Sequence, residues 1–103
     1  MIRHIVALRY RPEVSAPEKA ALIADLSALR AHLAGVLDFR IFANVSPEVA
    51  VVHGFLDLFW FDFQDVAARD AYLVDPQHMA VGARIGAACA GGAEGVLVLD
   101  VVM

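Results

Sequence analysis

The sequence predicts an α+β domain of βαββαβ order, a four-stranded antiparallel sheet carrying its helices on one face. Three observations predict it. Four segments have the two-residue apolar alternation, or the short apolar run, of strands. Between them lie segments of helical period that open on capping residues. Strands and helices in that order pack most simply with the helices together on one side of the sheet. Apolar residues (AVILMFWYC) make up 60% of the 103 residues, above the roughly 45–50% of ordinary domains even when glycine is counted. A chain this small has too little interior for them. The excess predicts that the uncovered sheet face is buried against a second copy.

Residues 2–10 alternate, with Ile2, His4, Val6, Leu8 and Tyr10 on one face and Arg3, Ile5, Ala7 and Arg9 on the other; Pro12 ends the run. Ser15 stands three residues before Glu18, with Pro17 in the first turn, so hydroxyl and carboxylate can satisfy the free amides of a helix start. Leu22, Leu26, Leu29 and Leu33 form that helix's apolar stripe, and Gly35 is its stop. Residues 36–45 read as the second strand, with Leu37, Phe39, Ile41, Ala43 and Val45 opposite Asp38, Arg40, Phe42 and Asn44, broken by Ser46-Pro47-Glu48.

From about Val52 or Phe55 to Phe63 the chain is apolar on both faces, with Phe55, Phe59, Phe61 and Phe63 on one and Leu56, Leu58 and Trp60 on the other. Such a strand must be covered on both sides. Asp65 opens a short helix to about Leu73, and Asp75-Pro76 caps a further one to about Ala90. Gly91-Gly92 ends it, and residues 95–102, GVLVLDVV, make the last strand. No repeat, linker or phosphate-cradling glycine spacing is found.

Eight basic against twelve acidic residues, a net charge of −4, disfavour nucleic-acid binding. The single cysteine, Cys89, has no partner in the chain and reads as a small buried hydrophobe. The N-terminus lacks the pattern of a signal peptide and the most apolar stretch, 79–103, is interrupted by charges and glycines. A cytoplasmic protein without a membrane segment is therefore expected. The four histidines show no metal-ligand spacing, so no bound metal is expected.

Four segments carry a family resemblance: MIRHIVALRYRPEVS at the start, ANVSPE at 43–48, FDFQD at 61–65 and AYLVDPQHMAV at 71–81. Together, in this order over nearly the whole chain, they resemble the stress-responsive A/B barrel (Dabb) family. The resemblance implies a ferredoxin-like fold and a homodimer paired through its sheets into an α+β barrel. Most members have no assigned reaction; some plant members are polyketide cyclases that close rings by a cofactor-free aldol-type step, and other branches of the wider superfamily are small monooxygenases. The cyclases carry their chemistry in a segment Tyr-x-x-His-Pro-x-His, which implies Tyr72 and His78 as catalytic residues here. The chain departs from the cyclase pattern at Asp75, which replaces the first His of that segment, and at Asp57, which replaces a strand histidine.

Proton abstraction beside a carbonyl needs a base and a donor for the oxygen that becomes negative, roles that suit His78 and Tyr72. His4, Asp57 and Phe59 are expected to line the same pocket, Asp57 as the partner of His4. The plainer reading has His78 capping its helix or bonding a strand carbonyl, Tyr72 packing its helix on the sheet, and His4 as a satisfied core histidine. His32 and His53 are expected to be solvated. Leu56, Leu58 and Trp60 are expected at the dimer interface, where Arg9 and Asp62 would form an ion pair fixing register. The function expected is a homodimer that binds a small hydrophobic or aromatic molecule between helices and sheet without a cofactor, with a cyclase-like activity in view. The alternatives are a non-enzymatic stress or structural dimer and a cofactor-free monooxygenase.

Overall fold

The computed structural model describes residues 1–103. Its elements are β1 (Ile2–Leu8), α1 (Ala16–His32), β2 (Val36–Ala43), a one-turn α2 (Val49–Val52), β3 (Asp57–Phe63), α3 (Val66–Val74), α4 (Pro76–Ala88), a 3-10 turn at Gly92–Gly95 and β4 (Val96–Val102). The sheet order is β2-β3-β1-β4 with every neighbouring pair antiparallel. The expected ferredoxin-like βαββαβ architecture is present, with its second helical element split at Pro76.

The alternation in β1 decides the faces. Ile2, His4, Val6 and Leu8 are buried under the helices while Arg3, Ile5 and Ala7 are half-buried on the other face. In β3, Phe59, Phe61 and Phe63 join the helix side and form the core with Leu22, Leu26 and Leu29 of α1 and Val81 and Ile85 of α4. The opposite face presents Phe42, Leu58, Trp60, Leu97, Leu99 and Val101 with nothing over them; Leu99 is 54% and Leu97 45% exposed. No helix is long and apolar enough to cross a membrane.

Helix starts follow the sequence signals. Ser15 Oγ accepts from Glu18 N at 3.2 Å, and Gly35 takes a left-handed φ of 82° just beyond α1, where the Cβ of any other residue is unfavourable.

Three strand details differ from expectation. β1 stops at Leu8, and Tyr10 forms an isolated bridge to Cys89. β2 stops at Ala43 and contains a bulge between Val36 and Asp38. The extra residue there shifts the alternation by one, so Val36 instead of Leu37 packs on the core, and Leu37 is left 50% exposed. The segment before β3 holds α2, whose Val49 and Val51 are exposed, so Phe55 and Leu56 lie outside the strand.

Candidate functional site

Two adjacent helix caps place the two residues of the Tyr-x-x-x-x-x-His segment. Asp65 accepts from Ala68 N at 2.9 Å and starts α3, which carries Tyr72 in its last turn. Asp75 ends α3 and starts α4, where its Oδ2 accepts from His78 N at 3.0 Å. The break between helices brings the Tyr72 and His78 rings to a centroid separation of 3.7 Å at a 30° tilt. His4, from the middle of β1, stands edge-on to Tyr72 at 5.4 Å. All three line one cavity of about 210 Å³, whose remaining walls are apolar apart from the backbone of Gly82 and include Val6, Phe59, Val96 and Val98.

The site is polarised by burial. Tyr72 is buried, and desolvation with the nearby Asp100 carboxylate pushes its phenol well above the ordinary range; it is a neutral hydrogen-bond donor throughout ordinary pH. Burial, then the neighbouring His4, lowers the His78 pKa below 6.5, and the pull of the Tyr72 and Leu73 backbone toward the charged form is outweighed. His78 Nδ1 is buried without a hydrogen-bond partner. Nε2 lies on the Gly82 side of the ring: a methyl at Gly82 would sit 3.9 Å from it. Nε2 is therefore the nitrogen placed to act in the cavity.

This environment has a consequence for stability. A histidine whose folded pKa is depressed binds its proton more readily when unfolded, so stability falls as pH drops from 6.5 to the folded pKa and no further. Urea titrations at pH 7.5 and 5.5 should show a smaller loss on acidification in His78→Gln than in the parent. An identical loss in both would mean that His78 is not held neutral by the fold.

His4 has a carboxylate partner, but it is Asp100. Nδ1–H donates to Asp100 Oδ1 at 2.6 Å, and Asp100 Oδ2 accepts from Arg69 Nη1 at 2.6 Å. Burial opposes the Asp100 charge, yet these bonds hold its carboxyl below the usual range. The pairing turns Nδ1 toward the carboxylate and so fixes the orientation of the His4 ring.

Asp57, expected in this role, stands opposite Leu8 on β3, whereas His4 pairs with Phe61 and, on its other side, with Asp100 itself. Asp57 instead lies 3.9 Å from Lys19 Nζ. It lines a separate open groove of about 730 Å³ between α1 and the sheet, with Tyr10, Ile23, Phe39 and Ile41. Phe59 borders both spaces.

The Arg9–Asp62 ion pair is also corrected. Asp62 is gripped by Arg3, directly opposite it in register, through Nε at 2.9 Å and Nη2 at 3.1 Å. Arg9 lies beyond the end of β1 and donates to the carbonyls of His53 and Glu94. Leu58 and Trp60 are on the open face as expected, and the exposed Leu56 precedes β3. His53 is exposed in a left-handed turn, but His32 is not simply solvated: its Nε2 lies 2.9 Å from Asp75 Oδ1. No group of three or more His, Cys, Asp or Glu side chains is arranged to hold a metal ion.

The model of the stress responsive A/B barrel domain matches residues 2–103. The chain belongs to this family. Among solved structures it is similar to a dimeric ferredoxin-like protein of unknown function from Jannaschia sp. CCS1, with 32% identity, 99% of this chain and 98% of that one covered, and a TM-score of 0.88. A Dabb family protein from Mesorhizobium loti shares 25% identity over 99% of this chain and 95% of that one, with a TM-score of 0.77. A hydroxynitrile lyase from Passiflora edulis, 23% identical over 99% and 92% of the two chains with a TM-score of 0.83, shares the fold. No curated protein matches this Dabb sequence.

Proposed function

We propose that this Dabb chain forms a homodimer through its open sheet face and binds a small, largely hydrophobic carbonyl compound in the His4–Tyr72–His78 cavity. His78 is the base and Tyr72 the oxyanion donor of a cofactor-free proton transfer. The observation that carries this reading is the convergence of the three polar side chains on one apolar cavity, with Nδ1 of His78 buried and without a hydrogen-bond partner. A purely structural dimer would have no use for the cavity.

In the proposed step, His78 Nε2 takes a proton from the carbon beside the carbonyl. The C–H electron pair moves into the C–C bond, and the carbonyl pair onto oxygen. Tyr72 donates a hydrogen bond to that enolate oxygen, and apolar walls exclude water. Where a second carbonyl of the same molecule is within reach, the enolate carbon attacks it, a ring closes and the proton returns to the new alkoxide.

The sheet face supports the dimer for a related reason. Its charges are already paired within the chain, Asp62 by Arg3 and Asp38 by Arg40 at 2.7 Å. Burying the face therefore leaves no lone charge stranded. The Jannaschia and other ferredoxin-like neighbours are described as dimeric.

Acetophenone, a compact aromatic ketone, is a direct probe of the cavity. Added to labelled protein, it should shift the resonances of His4, Tyr72 and His78. Gly82→Ala separates cavity from fold: it removes a helical glycine, which should stabilise by about 1 kcal/mol, while its methyl fills space beside His78. A higher melting temperature with weaker acetophenone binding is expected. Binding that is unchanged in Gly82→Ala, or shifts confined to the outer groove, would overturn the assignment of this cavity.

A further inference from the structure

Asp75 is the point where three elements of the site meet. Its backbone N–H donates to Tyr72 O at 3.2 Å and closes α3, while its Oδ2 accepts from His78 N at 3.0 Å and opens α4. Its remaining oxygen, Oδ1, is held by Nε2 of His32 at 2.9 Å, from the last turn of α1. One residue thus joins, through its backbone, the residue carrying the phenol and, through its carboxylate, the residue carrying the imidazole and the end of a third helix.

The bonding capacity of that carboxylate is divided with little slack. Its side chain is 13% exposed, and each oxygen is committed to a different helix. A carboxylate with only the helix cap to serve can rotate about χ2 and exchange its oxygens; a donor fixed on a separate helix removes that freedom. The Tyr72 and His78 rings lie on either side of Asp75, three residues away in each direction, so its orientation sets the angle between two short helices and the approach of the rings.

We infer that Asp75 and His32 form a positioning clamp that holds the Tyr72 and His78 rings in register across the α3–α4 break. This rests on the reading of those two rings as the working groups of the site, but its test does not depend on any activity. The readout is the set of nuclear Overhauser contacts between the Tyr72 and His78 ring protons. His32→Ala removes the anchor without touching the cavity or the helix cap. Asp75→Ser keeps a hydroxyl for the cap and has no second oxygen to reach His32.

His32→Gln restores an N–H donor of similar reach. Loss or weakening of the ring-to-ring contacts is expected in His32→Ala and Asp75→Ser, with recovery in His32→Gln, and acetophenone affinity should follow the same order. A simple stability role would lower the melting temperature of His32→Ala while leaving those contacts intact, and that result overturns the clamp. Contacts that respond as expected in a protein that binds no acetophenone would sustain the clamp and remove the carbonyl-binding reading. Acetophenone binding with contacts indifferent to His32 would do the reverse.

Discussion

A Leu99→Arg variant is expected to be monomeric at concentrations where the parent chain is a dimer. Leu99 stands on β4, opposite Ile5 of β1, on the face away from the helices, and 54% of it is exposed in the single chain. An arginine there has room in the monomer, so fold and helical content should be preserved. In a sheet-to-sheet dimer the same side chain would be carried into an apolar layer with Trp60, Phe42 and Leu97. An unpaired charge buried in such a layer is disfavoured by several kcal/mol, and the two-fold symmetry of a homodimer introduces it twice. Every 1.4 kcal/mol is a factor of ten in affinity; a dissociation constant at least about a thousandfold weaker is expected.

Trp60 is the largest side chain on that face. Its ring lies 4.6 Å from that of Phe42 at a 33° tilt and is capped by the Arg3 guanidinium at 4.5 Å, and its Nε1 is buried with no acceptor in the chain. Sedimentation velocity across a dilution series decides the matter. A Leu99→Arg protein that dimerises as the parent does would move the interface to another surface.

The same face shows how far the fold was legible in the amino-acid order. Alternation in β1 and the two-sided apolar run ending at Phe63 suffice to predict a sheet with one covered and one open side, because a period-two pattern leaves only two faces to choose between. The pairs Ser15–Glu18 and Asp75–Pro76 marked helix starts because capping chemistry is local. The errors arose where a side chain's neighbour depends on register. The bulge at Leu37 adds one residue that no local propensity announces, and it exchanges Val36 for Leu37 on the core.

Asp100 was missed as the partner of His4 for a related reason. Within GVLVLDVV it reads as a lone charge in an apolar strand, and its significance emerges only when β4 is laid beside β1 with His4 opposite it. The family pattern puts a histidine at the position of Asp57. Register places it four pairs further along, in the outer groove. Tyr72 and His78 come from the resemblance to a family segment whose spacing is local, and the paired caps turn that spacing into proximity.

Proximity alone does not make a catalyst, and the second large effect expected is on proton exchange. In heavy water the methyl protons of acetophenone should be replaced by deuterium faster with the parent protein than in buffer. His78→Ala should lose about 100-fold or more of that acceleration, the usual share of a positioned base. Tyr72→Phe keeps the ring and its packing but removes the hydroxyl; loss of one oxyanion donor in a dry site is worth roughly 100-fold or more.

The two variants should differ in their pH profiles. The base acts when neutral, and burial places the His78 pKa below 6.5, so the parent rate should be level above neutrality and fall as the solution is acidified through that pKa. Tyr72→Phe should retain this shape at a lower rate, because its phenol does not titrate in the range. His78→Ala should lose the shape altogether. Exchange spectra recorded over several hours would show it. A parent rate that survives both substitutions would place the chemistry elsewhere, and a parent that binds the ketone without exchanging its protons would leave the cavity as a binding site whose histidine serves recognition alone.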